Sequence, residues 1–130
     1  MVTWRRKTVM PPDAAGLIGT VRLARRDDDF AELAEGEIAV VELPDLDAQQ
    51  AQTLLDRRVA AVLNAARSTS GRAPNTGPQL LSKAGVVLID ITSEDVWARL
   101  RNGDLVRIDG GQVFRDEVPV ASGIELDEQR

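Results

Sequence analysis

The sequence predicts an α/β domain with a partly parallel sheet plus a C-terminal antiparallel hairpin. Between residues 38 and 101, short apolar runs alternate with segments of helical periodicity, and this alternation is typical of strand–helix–strand units. After residue 104 the hydrophobic period changes to two, and Asp109-Gly110-Gly111 supplies the residues of a hairpin turn. A chain of 130 residues, 43% of them hydrophobic, is large enough to bury the core of one such domain.

The amino-acid composition excludes several kinds of chemistry. The chain contains no histidine and no cysteine, so Ser-His triads, imidazole bases, thiolate nucleophiles and phosphohistidine intermediates are ruled out. We expect no cofactor and no tightly bound transition metal. A net charge of −5 argues against a nucleic-acid partner, which needs a basic face. The lack of cysteine fits a cytoplasmic location, and no apolar run in the sequence approaches the ~20 residues that span a bilayer.

The N-terminal part of the chain predicts an arm, a strand and a short helix. The positive charges in residues 1–15 are not followed by the apolar segment of a secretory signal. These residues are expected to form a flexible basic arm, and an arm that docks on a partner or an acidic surface is the alternative. Residues 17–24 alternate as a strand. Asp27-Asp28-Asp29 suit the first turn of a short helix. A metal site is the alternative, but adjacent side chains diverge around a helix and cannot all face one ion.

The middle of the chain predicts three strands and three helices in alternation. Strands are expected at residues 38–43, 60–63 and 86–91, and helices at residues 48–57, 78–84 and 94–101. Asp45 or Asp47 is expected to cap the first helix, and Thr92 or Ser93 the last. Gly85 suits the C-terminal end of the second helix.

Three short strands are predicted at residues 105–108, 112–115 and 117–121. Gly123 is expected to break the last of them, and residues 124–130 have the pattern of a linker or a helix that leads to a following domain. Residues 16–123 are therefore expected to form a single α/β domain. The sheet core is expected to contain Val40, Val62, Leu88 and Ile108, and Trp97 is expected to be largely buried on the helix that follows residue 91.

The stretch from Asn64 to Gly77, between a strand and a helix, has the composition of a functional loop. The candidate anion-binding residues are Ser68, Thr69, Ser70, Arg72, Asn75, Thr76 and Gly77. In this interpretation the N–H groups of the following helix point at the ligand, and Arg72 binds a phosphate or carboxylate with two parallel hydrogen bonds. The alternative is that Arg72 and Asn75 bond the loop's own carbonyl groups. The residues leave both interpretations open, and no catalytic residue is assigned.

A series of short segments along the chain forms a pattern more specific than its periodicity. The segments are Gly36-Glu37-Ile38-Ala39-Val40, Asp45-Leu46-Asp47, Val62-Leu63-Asn64-Ala65-Ala66, Ser70-Gly71-Arg72, Pro74-Asn75, Gly77-Pro78, Gly85, Leu88-Ile89-Asp90, Gly103-Asp104, Val106-Arg107 and Gly110-Gly111. Together they resemble the N-terminal part of the SteA-like family, actinobacterial proteins described as cytokinetic ring proteins. The resemblance extends over residues 17–123, and Ser-Gly-Arg-x-Pro-Asn-x-Gly-Pro is its most specific signature.

The resemblance implies a role in cell division. SteA-like proteins continue into a domain similar to thiamine pyrophosphokinase and then a membrane segment, and they act in septum formation and daughter-cell separation with a membrane-bound partner. This chain is therefore expected to be a non-catalytic accessory or interaction domain at the cytoplasmic side of the septum, able to form homo-oligomers. The alternative is a composite phosphate- or nucleotide-binding site shared with the thiamine pyrophosphokinase-like domain, in which Arg72, Asn75 and Asp90 reach the ligand.

A second resemblance concerns the order of elements. A strand, the Thr69-Ser70 loop, a helix, Gly85, another strand and the final hairpin are similar to the swivelling β/β/α domain of phosphoenolpyruvate-utilising enzymes. This similarity implies a three-layer swivelling β/β/α-like fold. In that family a histidine follows the Thr-Ser pair and carries the phosphoryl group, whereas this chain has Gly71 there, so phosphoryl carriage on histidine is excluded.

Overall fold

Seven β-strands close into a barrel in the computed structural model of the chain, which describes residues 16–69, 76–93 and 95–126. Around the barrel the order is β1-β2-β3-β4-β7-β6-β5. The strands are β1 (Leu17–Leu23), β2 (Ile38–Val41), β3 (Ala61–Asn64), β4 (Val87–Ile91), β5 (Leu105–Asp109), β6 (Gln112–Arg115) and β7 (Val118–Leu126). The helices are α1 (Ala48–Asp56), α2 (Gly77–Lys83) and α3 (Val96–Arg99), with a 3-10 turn at Asp27–Glu32.

The barrel has a parallel half and an antiparallel half. Strands β1 to β4 pair in parallel, and the remaining pairings, β4–β7, β7–β6, β6–β5 and β5–β1, are antiparallel. Two strands join the halves by dividing their length between two partners. The start of β1 pairs with β5 and its end pairs with β2. The start of β7 pairs with β6 and its end pairs with β4.

The three-layer swivelling β/β/α-like α/β domain is therefore the wrong fold class. The strands outnumber the helices in the described residues, and the sheet has no open edge because both ends of the strand order are hydrogen-bonded to each other. Closure removes the unpaired backbone groups that an open sheet exposes. The hairpin predicted at residues 105–108 and 112–115 is formed by β5 and β6, but it belongs to the antiparallel half of a closed barrel and is followed by β7.

Two apolar clusters lie on the two faces of the sheet. The first takes residues from all seven strands and fills the barrel, and Val40 and Ile108 belong to it. The second lies between β2–β4 and the helices α1 and α2, and includes Val62 and Leu88. All four predicted core residues are at most 3% exposed, which confirms their burial, and Trp97 is partly buried against the first cluster. Neighbouring residues of a strand alternate between the clusters, as the pleat requires.

Helices α1 and α3 begin where side chains satisfy their free N–H groups. The Asp47 carboxylate accepts a hydrogen bond from the Gln50 N–H over 2.7 Å, and Gln50 Oε1 accepts from the Asp47 N–H over 3.0 Å. Asp47 is thus the predicted cap of α1. The cap of α3 is Asp95, whose carboxylate accepts from the Trp97 N–H over 2.9 Å, so the prediction of Thr92 or Ser93 is wrong.

The C-terminal part of the described chain is a strand. Strand β7 continues through Gly123 to Leu126, so Gly123 does not break it and the helix expected from residue 124 does not begin within residues 124–126. A Cβ atom at Gly123 would collide with the carbonyl oxygen of Asp90. Glycine is needed there because β7 approaches the β4 backbone where it changes partners. The predicted arm at residues 1–15 lies outside the described residues, and within those described no helix is long and apolar enough to cross a membrane.

Candidate functional site

The carboxyl ends of the four parallel strands meet at one end of the barrel, which we call the carboxyl end. Helix α3 closes this end, since Val96 and Leu100 belong to the cluster that fills the barrel. The loop that follows β3 starts here at Asn64. In sheets with parallel strands, ligands bind outside the carboxyl ends of the strands. Functional side chains are therefore expected at this end of the barrel.

Asn64 is buried at the end of β3 and uses its whole amide group. Its Nδ2 donates to the Leu43 carbonyl oxygen over 3.0 Å and to Ser68 Oγ over 2.9 Å. Its Oδ1 accepts from the N–H groups of Leu43 over 2.9 Å and Ala66 over 3.0 Å. An amide side chain offers two donors and one acceptor oxygen with two lone pairs. Every one of these is used, and Asn64 therefore joins the chain after β2 to the loop after β3.

Ser68 and Asp90 extend this network to β4. The Ser68 hydroxyl donates to Asp90 Oδ1 over 2.5 Å, and the Ser68 N–H donates to Asp90 Oδ2 over 2.9 Å. Burial raises the pKa of Asp90, and the two bonds from Ser68 oppose that rise. Hydrogen bonds to a carboxylate are stronger than those between neutral groups. We call Asn64, Ser68 and Asp90 the loop anchor, because they fix the start of the loop to the ends of β3 and β4.

The structure places the described residues of the predicted anion loop in different surroundings. Ser68 is 0% exposed and belongs to the loop anchor, whereas Thr69 and Thr76 are exposed. Thr76 precedes α2 without a side-chain capping bond. Ser70, Arg72 and Asn75 lie outside the described residues. Ser68 could be selected from the sequence for its hydroxyl group, but Asn64 was missed as a functional residue. The feature that could have identified it is a polar residue at the end of a continuously apolar strand.

Gly77, the last predicted residue of the loop, is buried at the first position of α2. A Cβ atom there would collide with the Leu46 carbonyl oxygen and lie 2.7 Å from the Asp47 carbonyl oxygen. The close approach needs a residue without a side chain. The start of α2 is thus packed against carbonyl oxygens, which are hydrogen-bond acceptors and do not attract an anion.

A second polar group lies beside α3 at the same end of the barrel. Arg25 Nε donates to Glu42 Oε1 over 2.8 Å, and the Trp97 indole N–H donates to the same oxygen over 3.1 Å. The Arg25 guanidinium carbon lies 4.6 Å from the centre of the Trp97 ring, within range of a cation–π contact. The hydrogen bond from Arg25 lowers the pKa of Glu42 below its ordinary value. A cavity of about 310 Å³ lies beside these three side chains.

This arrangement can bind and orient a ligand, but it does not resemble an active site. The Ser68 hydroxyl has a carboxylate partner, as a nucleophile would, yet it is 0% exposed and no substrate could reach it. Asp90 uses both oxygens on Ser68. Within the described ranges no three acidic side chains are grouped so that they could hold a metal ion.

The comparisons with known proteins leave the family open. No family model, no curated protein and no solved structure matches the chain. The similarity to the SteA-like family therefore stays a prediction from the sequence motifs.

Proposed function

We propose that this chain is a non-catalytic accessory and interaction domain of a SteA-like protein, which acts in bacterial cell division and daughter-cell separation. It would work beside a thiamine pyrophosphokinase-like domain, at the cytoplasmic side of the division septum, with a membrane-bound partner. The motif resemblance supports the cellular role. The bonding of the polar residues at the carboxyl end of the barrel supports the non-catalytic character.

The loop anchor is the observation that carries this proposal. Catalysis by general acid or base needs a side chain that can reach the substrate. The two candidates at this end, Ser68 and Asp90, are bonded to each other, and Ser68 is 0% exposed. Their bonds hold the start of the loop to the ends of β3 and β4. A loop whose start is fixed to a rigid barrel is suited to the recognition of another protein surface.

The outer face of β1 and β5 is a surface that a neighbouring domain could cover. Ile18 is 49% exposed and Leu105 is 37% exposed. Ile18 pairs with Arg107 and Thr20 pairs with Leu105, so Ile18 and Leu105 are diagonal neighbours on one face of the sheet. Helices α1 and α2 cover the strands on the opposite side of the barrel. Among the described residues, the face of β1 and β5 has no such cover.

Binding between this chain and a separately produced thiamine pyrophosphokinase-like domain tests the proposal. We expect measurable association that is weakened by Ile18→Glu and by Leu105→Glu. Val118→Glu is the matched control, because Val118 is 58% exposed but lies on β7, which pairs with neither β1 nor β5. Cells with the Ile18 or Leu105 variant should separate poorly after division. Wild-type association and wild-type septa in both variants would refute the interaction role.

The composite phosphate- or nucleotide-binding site is the second candidate. The cavity beside Arg25, Glu42 and Trp97 favours it, because that cavity lies where ligands bind in sheets with parallel strands. Titration with nucleotides and thiamine-like phosphates, with and without the following domain, separates the candidates. Binding that appears only with both domains and is weakened by Arg72→Lys supports the composite site. Absence of binding, with Asn75→Ala lowering the free energy of unfolding by about 1–3 kcal/mol, supports the alternative in which Arg72 and Asn75 bond the loop's own carbonyl groups.

A further inference from the structure

A cleft at the carboxyl end of the barrel collects arginines from three parts of the chain. The cleft has a volume of about 450 Å³, which is in the range of small-molecule sites. It is lined by Ala98, Arg99, Arg101, Asp104, Arg115 and Val120. Arg99 ends α3, Arg101 lies in the turn before β5, and Arg115 ends β6. This positive lining is unexpected in a chain whose net charge is −5.

Arg115 is held in place by one end of its guanidinium group. Its Nη1 donates to the Arg99 carbonyl oxygen over 2.7 Å and to Asp104 Oδ2 over 2.8 Å. Asp104 Oδ2 also accepts from the Arg101 N–H over 2.9 Å, which fixes the carboxylate. The single acidic residue of the cleft therefore orients Arg115 and closes the turn before β5.

The other edge of the Arg115 guanidinium group is open. Arginine has five N–H donors, and the bonds just described use only Nη1. The donors on Nε and Nη2 meet no acceptor within the described residues. These two nitrogens form the edge that binds a carboxylate or phosphate with two parallel hydrogen bonds. The Arg115 side chain is 37% exposed, so a ligand in solvent can reach this edge.

Arg101 adds a second cation to the same cleft. Its guanidinium group has no hydrogen-bond or ion-pair partner in the part of the chain that the structure describes. The side chains that line the cleft carry three positive charges and one negative charge, so the lining has a formal net charge of +2, and a phosphate monoester carries about −1.5 to −2 at pH 7. A carboxylate would leave about one positive charge uncompensated.

We propose that this cleft binds the phosphate group of a phosphorylated small molecule, with Arg115 as the bidentate ligand and Arg101 as the second cation. The volume of the cleft leaves room for an organic group beside the phosphate. This inference goes beyond the proposed role in cell division and does not depend on it, because it uses no residue of the loop and neither Ile18 nor Leu105.

The test is an NMR titration of the whole chain, observed at the arginine Nε–H groups, at constant ionic strength. The probes are inorganic phosphate, O-phosphoserine and acetate. We expect saturable shifts of the Arg115 Nε–H signal with both phosphate probes, tighter binding of O-phosphoserine than of inorganic phosphate, and weaker binding of acetate. Equal affinity for the two phosphate probes would overturn the assignment to an organic phosphate. Shifts that rise linearly without saturation would overturn the site altogether.

Variants separate the bidentate geometry from simple charge attraction. Arg115→Lys keeps the charge but loses the two parallel donors, so the affinity for O-phosphoserine should fall by about tenfold or more. Arg101→Gln removes a cation that has no partner in the described residues, so it should weaken binding without lowering the melting temperature. Arg58→Gln is the matched control, because Arg58 is exposed near the start of β2, at the opposite end of the barrel. Unchanged binding in Arg101→Gln, or an equal loss in Arg58→Gln, would refute the site.

Discussion

The Trp97 indole N–H donates a hydrogen bond to Glu42 Oε1 over 3.1 Å, and the two residues are 55 positions apart in the chain. Glu42 follows β2, and Trp97 lies on α3, the helix that closes the carboxyl end of the barrel. Arg25, which follows β1, bonds the same oxygen and covers the Trp97 ring. Three side chains from distant parts of the sequence therefore fasten α3 to the barrel.

The first prediction concerns the pH dependence of this contact. Arg25 is the main cause of the lowered pKa of Glu42, so Arg25→Gln should move that pKa up towards its ordinary value. A lowered pKa means that ionised Glu42 stabilises the fold above the ordinary glutamate pKa, and that this stabilisation is lost as the pH falls through the lowered value. In Arg25→Gln we expect this pH dependence of stability to be nearly abolished. The Glu42 carboxyl signal in an NMR pH titration measures the shift.

Arg25→Gln should change the free energy of unfolding only slightly, because both partners of the ion pair are exposed. The Arg25 side chain is 51% exposed and the Glu42 side chain is 41% exposed. Trp97→Phe is the companion variant. It removes the indole N–H but keeps an aromatic ring, and its effect on the Glu42 pKa should be smaller than that of Arg25→Gln. A larger effect from Trp97→Phe would contradict this assignment of causes.

The second prediction concerns Ser68 and Asp90. Burial raises the pKa of Asp90, so the folded chain binds this proton more tightly than the unfolded chain. The free energy of unfolding therefore declines as the pH rises from the ordinary aspartate pKa through the raised one. Ser68→Ala removes the hydroxyl bond that opposes the rise, so the decline should extend to higher pH. At pH 7 the free energy of unfolding of Ser68→Ala should be lower by about 1–3 kcal/mol, because buried polar groups lose the Ser68 hydroxyl as their hydrogen-bond partner.

Urea unfolding at several pH values measures both effects. Asp90→Asn is the matched control, because it removes the ionisable group and with it this part of the pH dependence. If Ser68→Ala and the wild type showed the same dependence, the hydroxyl bond would not contribute as the geometry indicates.

The third prediction concerns the packing of α2 on the chain after β2. Gly77→Ala should destabilise the protein by more than about 2 kcal/mol, since a Cβ atom would collide with the Leu46 carbonyl and the backbone would have to move. Thr76→Ala, one residue earlier, should change stability by less than about 0.5 kcal/mol, because Thr76 makes no side-chain capping bond to α2. Thermal unfolding of the two variants compares them. Equal melting temperatures would show that α2 can move away from the Leu46 carbonyl at little cost.

The elements of the fold could be predicted from local patterns, but their closure could not. The β-branched run in β2 and the Asp47 cap of α1 each depend on neighbours in the sequence. Barrel closure depends instead on Leu17 pairing with Ile108. Hydrophobic periodicity shows which side of a strand is buried but not which strand lies beside it. A strand such as β1, which divides its length between two partners, has no distinct local pattern.

The candidate site shows the same limit. The hydroxyls of the loop after β3 indicated polar contacts, and Ser68 does make them. Its partners, Asn64 and Asp90, are paired across the neighbouring strands β3 and β4, and only this register brings their side chains to one face. The phosphate-binding cleft with Arg101 and Arg115 could not be predicted either, because β6 reaches the α3–β5 turn only through the antiparallel pairing of β5 and β6.

The last prediction concerns Asn64, the central residue of the loop anchor. Asn64→Ala should cost roughly 2–5 kcal/mol, because the Leu43 N–H and carbonyl groups and the Ser68 hydroxyl each lose a partner in a buried place. Asn102→Ala is the matched control. Asn102 also accepts a hydrogen bond from a strand, the Leu23 N–H, over 2.6 Å, but it is exposed, so water can replace it and the cost should stay below about 1 kcal/mol.

Asn64→Asp tests whether the donors of the amide matter as much as its oxygen. At neutral pH the variant would place a buried negative charge against the Leu43 carbonyl and the Ser68 oxygen, both of which now accept from Nδ2. Burial and these acceptors should raise the pKa of the introduced carboxyl. Its stability should therefore be lowest at neutral pH and should recover as the pH falls and the carboxyl becomes protonated. Urea unfolding at pH 7 and at pH 5 measures this recovery, and a variant as stable as the wild type at pH 7 would show that the Nδ2 bonds do not hold the loop.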